Sequence, residues 1–389
     1  MPVGPSRHLV RFLVVGGKTF ALKEEPRDVA RSEFDVLRRL EVAKLAAVTA
    51  AGLAEDPQRD TAILVTEYLA YSIQYRRLLM RFPFGPGPYR ERLLDAMASL
   101  LVDLHRAGVY WGDCSLANTL FRRDGNRIQA YLVDAVTSEI HPTLSDGQRA
   151  YDLDILVENV GFGLADLGVM QEREDAFEDA VEAAHSVRNR YRAVWDELHL
   201  EPTVSGADRQ AIRARIRRLN ELGFAIDEIS LEPTSPGGEV VRLKVAVADQ
   251  RFHARELARL TGLVALEGQA RLLVNDLREY GTWLRHRGAS LDENEAADRW
   301  MRDVLEPSLA TLVPVIGPQR DPLQAYCDVL ELKWLRSEAA GSDVGLASAI
   351  REYIEMGAPA PEDVTAFGDS SIVLDIDWSG GLDTDGEPA

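Results

Sequence analysis

The chain is poor in cysteine and lysine and has no long apolar run. Cys114 and Cys327 are its two cysteines in 389 residues. That is too few for a disulfide framework or a zinc cluster, so both are expected to be reduced thiols. No apolar stretch reaches the roughly 18–20 residues that a membrane helix needs. The stretch Leu9–Val15 is broken by Arg11 and lacks a small-residue cleavage site, so it does not read as a secretory signal. A cytoplasmic protein is the expectation. Basic residues vanish after Arg351, where ten acids follow, leaving −9 of the formal −19 for the rest of the chain. An acidic tail on a mildly acidic body repels polyanions, so broad nucleic-acid binding is not expected. Lys18, Lys23, Lys44, Lys244 and Lys333 are the lysines among 44 basic residues. Arg serves wherever a generic cation suffices, so a retained Lys is a weak sign that the compact ammonium itself is needed.

The length suggests two or three domains. Residues 9–15 and 18–24 are two strand-like runs around Gly16-Gly17, a strong hairpin signal. A helix is expected from about Pro26, with Val29, Phe34, Leu37 and Leu40 on its apolar face. Ile63–Tyr68 reads as a strand. Tyr89–Arg106 reads as a helix stopped by Gly108. Two short strands follow, Thr119–Phe121 and Ile128–Val133, joined by a turn at Arg123–Asn126. Helices are expected over 150–167 and 170–198. Pro202–Ser205 reads as a linker. Ala207–Leu222 is expected to be helical, then strands at 224–232 and 239–247 around a turn at Pro233–Gly238. The remainder to about Tyr353 reads as mostly helix, and 369–389 as a poorly ordered tail.

Several polar residues stand at telling places in this frame. Lys23 closes the second strand of the first hairpin, in Ala21-Leu22-Lys23, and Glu33 lies ten residues on, in the next helix. Asp113 and Asn118 lie in Gly112-Asp113-Cys114-Ser115-Leu116-Ala117-Asn118, which runs into the strand Thr119-Leu120-Phe121. Asp134 ends the apolar strand Tyr131-Leu132-Val133, and Asp152 opens a later helix. The Asp-x-x-x-x-Asn segment resembles a kinase catalytic loop, and the order of the other elements is that of a kinase. Residues 9 to about 165 thus resemble a kinase-type, ATP- and magnesium-binding phosphotransferase domain.

That resemblance implies roles. Lys23 would hold the nucleotide phosphates and Glu33 would pair with it. Asp113 would position the acceptor hydroxyl, and Asn118 and Asp134 would bind magnesium. Asp152 either braces the catalytic-loop backbone or simply favours a helix dipole. Trp111 stands where kinases carry the His of His-Arg-Asp, Ser115 where protein kinases carry Lys, and Ala135-Val136 where they carry Phe-Gly. The first two departures argue against an ordinary protein kinase, and the third puts regulation by a flipping Phe in doubt but not metal binding. A full Gly-rich loop is missing, and Gly4, Ser6 and Arg7 are the candidates for a short phosphate-covering turn. The start is either truncated or covers the nucleotide differently.

A second resemblance reaches further along the chain. It rests on Ser6–Phe12, Trp111–Phe121, Leu144–Arg149, Arg251–Leu257, Lys333–Glu338 and Gly341–Gly345. Together these resemble a bacterial lipopolysaccharide-kinase-like family joined to a C-terminal domain of unknown function. It implies an α+β fold: a two-lobed kinase-like domain with a shortened N-lobe, then a mostly helical α/β accessory domain. The expected boundaries are 1–70 for the N-lobe, 71–200 for the C-lobe, 201–368 for the accessory domain and 369–389 for the tail. The implied activity is ATP- and magnesium-dependent transfer to an unidentified hydroxyl acceptor, with a nucleotide-binding pseudokinase acting as sensor or scaffold as the rival.

The accessory half carries weaker signals. Arg209, Arg213, Arg215, Arg217 and Arg218 line one helix, which reads first as a solvated face and otherwise as a nucleic-acid or phosphate binder. The pattern from Leu257 to Tyr280 faintly resembles a helix-turn-helix, at odds with the acidic chain. Phe252-His253 and Lys333-Trp334 suggest either a docking surface for the acceptor or a protein partner, or plain helix packing.

Overall fold

The computed structural model describes residues 10–56, 58–81, 87–205, 209–221, 224–233, 240–247, 250–318, 320–359 and 375–376. Two compact units divide them. One takes its residues from 1–121, 130–188 and 364–389, the other from 122–129 and 189–363.

In the first unit, β1 (Val10–Val15) and β2 (Lys18–Pro26) form the expected hairpin. The helix α1 (Arg27–Val42) follows, with Pro26 at its N-cap and Ala30, Val36, Leu37 and Leu40 buried. β3 (Ala50–Glu55), which the sequence reading passes over, and β4 (Thr61–Glu67) complete the sheet. Its order is β13-β1-β2-β4-β3, where β13 is Asp375–Ile376, parallel to β1. The other residues of the expected tail lie outside the described ones. β5 (Ser72–Gln74) and α2 (Tyr75–Arg81) lead to α3 (Pro88–Arg106). Leu93, Leu94, Met97, Leu100, Leu101 and Leu104 on α3 are all buried. Each such side chain contributes about 1.5–3 kcal/mol, which makes α3 a rigid base for the segment after it.

That segment holds β6 (Val109–Tyr110), β7 (Thr119–Asp124), β8 (Arg127–Leu132) and β9 (Glu139–Ile140). β6 pairs with β9, and β5, β7 and β8 form a three-stranded sheet with β7 central. Val48 N–H bonds Leu132 O at 3.0 Å and Leu132 N–H bonds Ala46 O at 3.0 Å, so the end of β8 is tied to the segment following α1. α4 (Asp146–Met170) begins in a capping box, Ser145 with Gln148, and α5 (Ala176–His199) follows.

The second unit opens with β10 (Thr203–Ser205), α6 (Arg209–Glu221), β11 (Ile226–Pro233) and β12 (Val240–Val247). Pro202–Ser205 is therefore not a plain linker, because 203–205 pair with β12 as an edge strand. The expected turn after Pro233 lies outside the described residues. Helices then dominate: α7 (Phe252–Thr261), α8 (Glu267–His286), α9 (Glu293–Trp300), a π-helical turn at Met301–Leu305, α10 (Glu306–Ile316), α11 (Pro322–Ala340) and α12 (Leu346–Glu355). Their core includes Leu257, Leu273, Leu277, Trp300, Leu312 and Tyr326. Among the described residues no helix is long and apolar enough to cross a membrane.

Candidate active site

Three carboxylates converge on one ammonium in the first unit. Lys23 Nζ lies 2.8 Å from Glu25 Oε1, 3.2 Å from Glu33 Oε2 and 3.1 Å from Asp134 Oδ2. The local reasons are simple. Strand alternation puts Lys23 and Glu25 on the same face of β2, while Glu24 points to solvent. Glu33 sits on the buried side of α1 and also accepts from Ala135 N–H at 2.9 Å. Asp134 follows β8 and accepts from Val136 N–H at 3.1 Å through its other oxygen. Burial alone would lower the Lys23 ammonium, but Glu33, Glu25 and Asp134 together raise it, so it stays charged. Burial pushes the Glu33 carboxyl up, against the pull of Lys23.

The Asp113–Asn118 loop is held from beneath. Asp152, fully buried on α4, accepts from Trp111 N–H at 2.7 Å, Gly112 N–H at 2.8 Å and Cys114 Sγ at 3.1 Å, and pairs with His105 Nε2 at 3.0 Å. Burial would raise Asp152, but these bonds outweigh it and hold the carboxyl below its ordinary value. Burial pushes His105 down against the pull of Asp152, and it pushes the Cys114 thiol up, keeping it a protonated donor. Gly112 has φ +81°, and a Cβ there would stand 2.7 Å from Thr137 O, so the turn needs glycine. Asn159 Nδ2 bonds Cys114 O at 2.9 Å, and Thr119 Oγ1 bonds Ser115 O at 2.7 Å. The loop thus fixes its backbone while Asp113 remains exposed. Asn118 Nδ2 donates to Asp113 Oδ2 at 3.0 Å and to Asp113 O at 3.1 Å. Val133 N–H bonds Asn118 O at 3.1 Å, and Trp111 Nε1 reaches Asp134 O at 3.4 Å, which ties the loop to the Asp134 segment.

Lys23, Glu33 and Asp134 are therefore brought together, and Asp113 with Asn118. Ser6 and Arg7 lie outside the described residues. Glu25, His105 and Asn159 are additions. Glu25 was legible from the Lys-Glu-Glu run, because period-two alternation places the second Glu beside the Lys. His105 and Asn159 gave no such signal, since each acts through a partner far along the chain.

Among the described residues no group of three or more His, Cys, Asp or Glu is arranged to hold a metal by itself. The donor set still suits magnesium, which takes carboxylate and amide oxygens and completes its shell with water and phosphate. Asp134 offers the carboxylate. Asn118 commits its amide nitrogen to Asp113, which leaves its oxygen as the donor. One ammonium among three carboxylates also leaves excess negative charge for a cation to balance.

This geometry sits within a segment of recognisable kind. Residues 19–167 match the lipopolysaccharide kinase (Kdo/WaaP) family. Lys23, Glu33, Asp113, Asn118, Asp134 and Asp152 all fall inside the Kdo/WaaP segment. Residues 193–357 match a domain of unknown function, DUF4032. The lipopolysaccharide core heptose(I) kinase WaaP of Pseudomonas aeruginosa is 35% identical over 100 residues, which cover 24% of this chain and 37% of that relative. The match thus spans well under half of the curated relative. A solved structure, WaaP in complex with acyl carrier protein, is 19% identical with a TM-score of 0.33, covering 56% of this chain and 86% of that one. The family match supports a kinase-type phosphotransferase in general terms.

Proposed function

We propose that this chain is an ATP- and magnesium-dependent phosphotransferase acting on a hydroxyl acceptor. The observation that carries the reading is the meeting of Lys23 with Glu33 and Asp134, ten and 111 residues away in sequence. Phosphoryl transfer is mostly positioning and charge stabilisation, and these groups supply both. Lys23 engages the nucleotide phosphates, and Glu33 orients it. Asp134 and Asn118 would hold magnesium, which would supply positive charge to offset that of the phosphates. Asp113 receives the acceptor's hydroxyl proton or aligns its oxygen. Asp152, through Trp111 and Gly112, keeps the loop backbone in place for Asp113. In this reading residues 1–70 are an N-lobe, 71–200 a C-lobe and 201–368 an accessory domain for the acceptor or a protein partner, in a cytoplasmic protein.

The experiment is mass-spectrometric detection of a phosphorylated product from ATP, magnesium and cell extract, beside ATP-induced thermal stabilisation. Asp134→Asn should weaken magnesium-dependent ATP binding and turnover together. Asp113→Asn should keep ATP affinity within a few-fold yet lower transfer by roughly 10²- to 10⁴-fold. A wild type that shows no magnesium-dependent ATP binding ends this reading.

One observation favours a nucleotide-binding sensor instead. Lys23 is held by three carboxylates, so phosphates must compete for it. ATP binding with slow consumption that neither variant changes would favour that rival.

A further inference from the structure

The DUF4032 segment contains a cavity of about 680 Å³ lined by four arginines, Arg213 and Arg217 from α6 and Arg271 and Arg278 from α8. Among the described residues no Asp or Glu lines it. Arg278 is paired with Glu256 at 2.6 Å, and Arg271 donates to Asn126 at 2.8 Å. Arg213 and Arg217 are exposed, and no hydrogen bond or ion pair holds them among the described residues. Burial and the nearby Arg127 push the Arg271 guanidinium down from its ordinary range, the direction that crowded positive charge gives.

Two further features make this more than a basic helix face. Asn220 lines the cavity, and its amide oxygen, buried away from solvent, has no hydrogen-bond partner among the described residues. Phe252 and His253, the pair singled out in the sequence, also line it. His253 is buried, and its Nδ1 is fixed by Glu267 at 2.6 Å.

We propose that this cavity binds a phosphorylated small molecule that carries a ring, of the size of a sugar phosphate or nucleoside monophosphate. Arginine forks match phosphate oxygens bidentately. The volume lies in the range of small-molecule sites and far exceeds one phosphate. Phe252, Ile216 and Leu272 supply apolar wall for a ring. A concave site on an acidic chain favours a small molecule over a nucleic acid, which wants an extended basic surface. The proposal stands independently of the phosphotransferase reading.

The test is calorimetric titration of the full chain, without magnesium, with inorganic phosphate, ribose 5-phosphate and AMP. Wild type is compared with the double variant Arg213→Ala/Arg217→Ala, with Arg213→Lys/Arg217→Lys and with Asp134→Asn. Both arginines are exposed, so neither double variant threatens the fold. The Ala pair should weaken ribose 5-phosphate or AMP binding by about 100-fold, the scale of two lost charge-assisted contacts. The Lys pair should restore only part of it, and Asp134→Asn should leave it within about twofold, as expected for a site apart from the kinase-like residues. No binding at about 1 mM ligand, a weak-affinity ceiling, overturns the proposal. So does inorganic phosphate binding as tightly as AMP, a loss confined to Asp134→Asn, or binding of duplex DNA or RNA that depends on these arginines while the small molecules do not bind.

Discussion

Glu25 and Glu33 beside Lys23 are buried, as are Asp124 and Asp328 around the turn at residues 123–126, yet the two clusters are balanced differently. In the second unit, Asp124 gives each oxygen to a backbone donor at the start of α8, Gly268 N–H at 2.8 Å and Gln269 N–H at 2.7 Å. Gln324 answers Gly125 in both directions, accepting from its N–H at 2.8 Å and donating to its O at 2.9 Å. Asp328 meets Arg123 at 2.6 Å and Arg320 at 3.9 Å. Two cations and two carboxylates cancel there, and the N-terminus of α8 further suits Asp124. Around Lys23 one cation faces three carboxylates. Buried charge is costly unless compensated, so the balanced cluster reads as scaffold and the unbalanced one as a site awaiting a counter-charge. Burial pushes Asp124 and Asp328 up in the scaffold cluster too, so a displaced carboxyl does not by itself separate the two kinds.

The comparison is broken most sharply by removing one acid from each cluster. Asp124→Ala leaves two buried backbone donors without an acceptor and should cost about 3 kcal/mol. That corresponds to a melting shift of about 6–12 °C in a unit of this size. Glu25→Gln should do the reverse or nothing, because it relieves like-charge crowding while Lys23 keeps Glu33 and Asp134. A gain of up to about 1 kcal/mol is expected, because removing a buried charge that one ammonium must share with two others is often neutral or stabilising. Thermal melts of the two variants decide it. If Glu25→Gln destabilises as strongly as Asp124→Ala, the Lys23 cluster is scaffold as well.

The scaffold cluster was also the less legible of the two. Lys23, Glu33, Asp113, Asn118 and Asp134 follow one another in the order of a kinase, so the resemblance grouped them before any contact was known. The turn 123–126 read only as a hairpin connection. Nothing in Arg-Asp-Gly-Asn says that it packs into a unit built from residues 189–363. Gly125 carries the trace of it, since a Cβ there would meet Gly268 O at 2.7 Å, but a glycine in a turn has a local reading that hides a distant one. Helices and hairpins emerged because their periodicity is local. β3 and β10 were passed over for the opposite reason. Ala50–Glu55 lacks β-branched alternation and Thr203–Ser205 is three residues long, so tertiary pairing decides both. Arg215 was read as part of a solvated face but is buried against Glu197, a partner supplied by the end of α5.

The smallest expected effect concerns His105, which is buried on α3 against Asp152 beneath the loop. Burial, set against the pull of Asp152 and helped by Arg149, lowers its proton affinity from the ordinary 6.5. The folded state therefore binds fewer protons than the unfolded state between that lowered value and 6.5. Stability must fall as pH drops through this window, with a slope of at most about 1.4 kcal/mol per pH unit. Glu33 works in the opposite sense, because burial raises its carboxyl from 4.5 and acid then favours the folded state. The wild-type profile mixes the two, so the informative quantity is a difference. His105→Gln keeps a donor for Asp152 but cannot titrate. Melting temperatures at pH 7.5 and 5.5, about one unit on either side of the ordinary histidine value, should show the wild type losing about 2–4 °C more than the variant. An equal loss would mean that His105 titrates alike in the folded and unfolded chain, and a smaller loss in the wild type would mean that it carries its proton when folded and braces Asp152 as a charged pair.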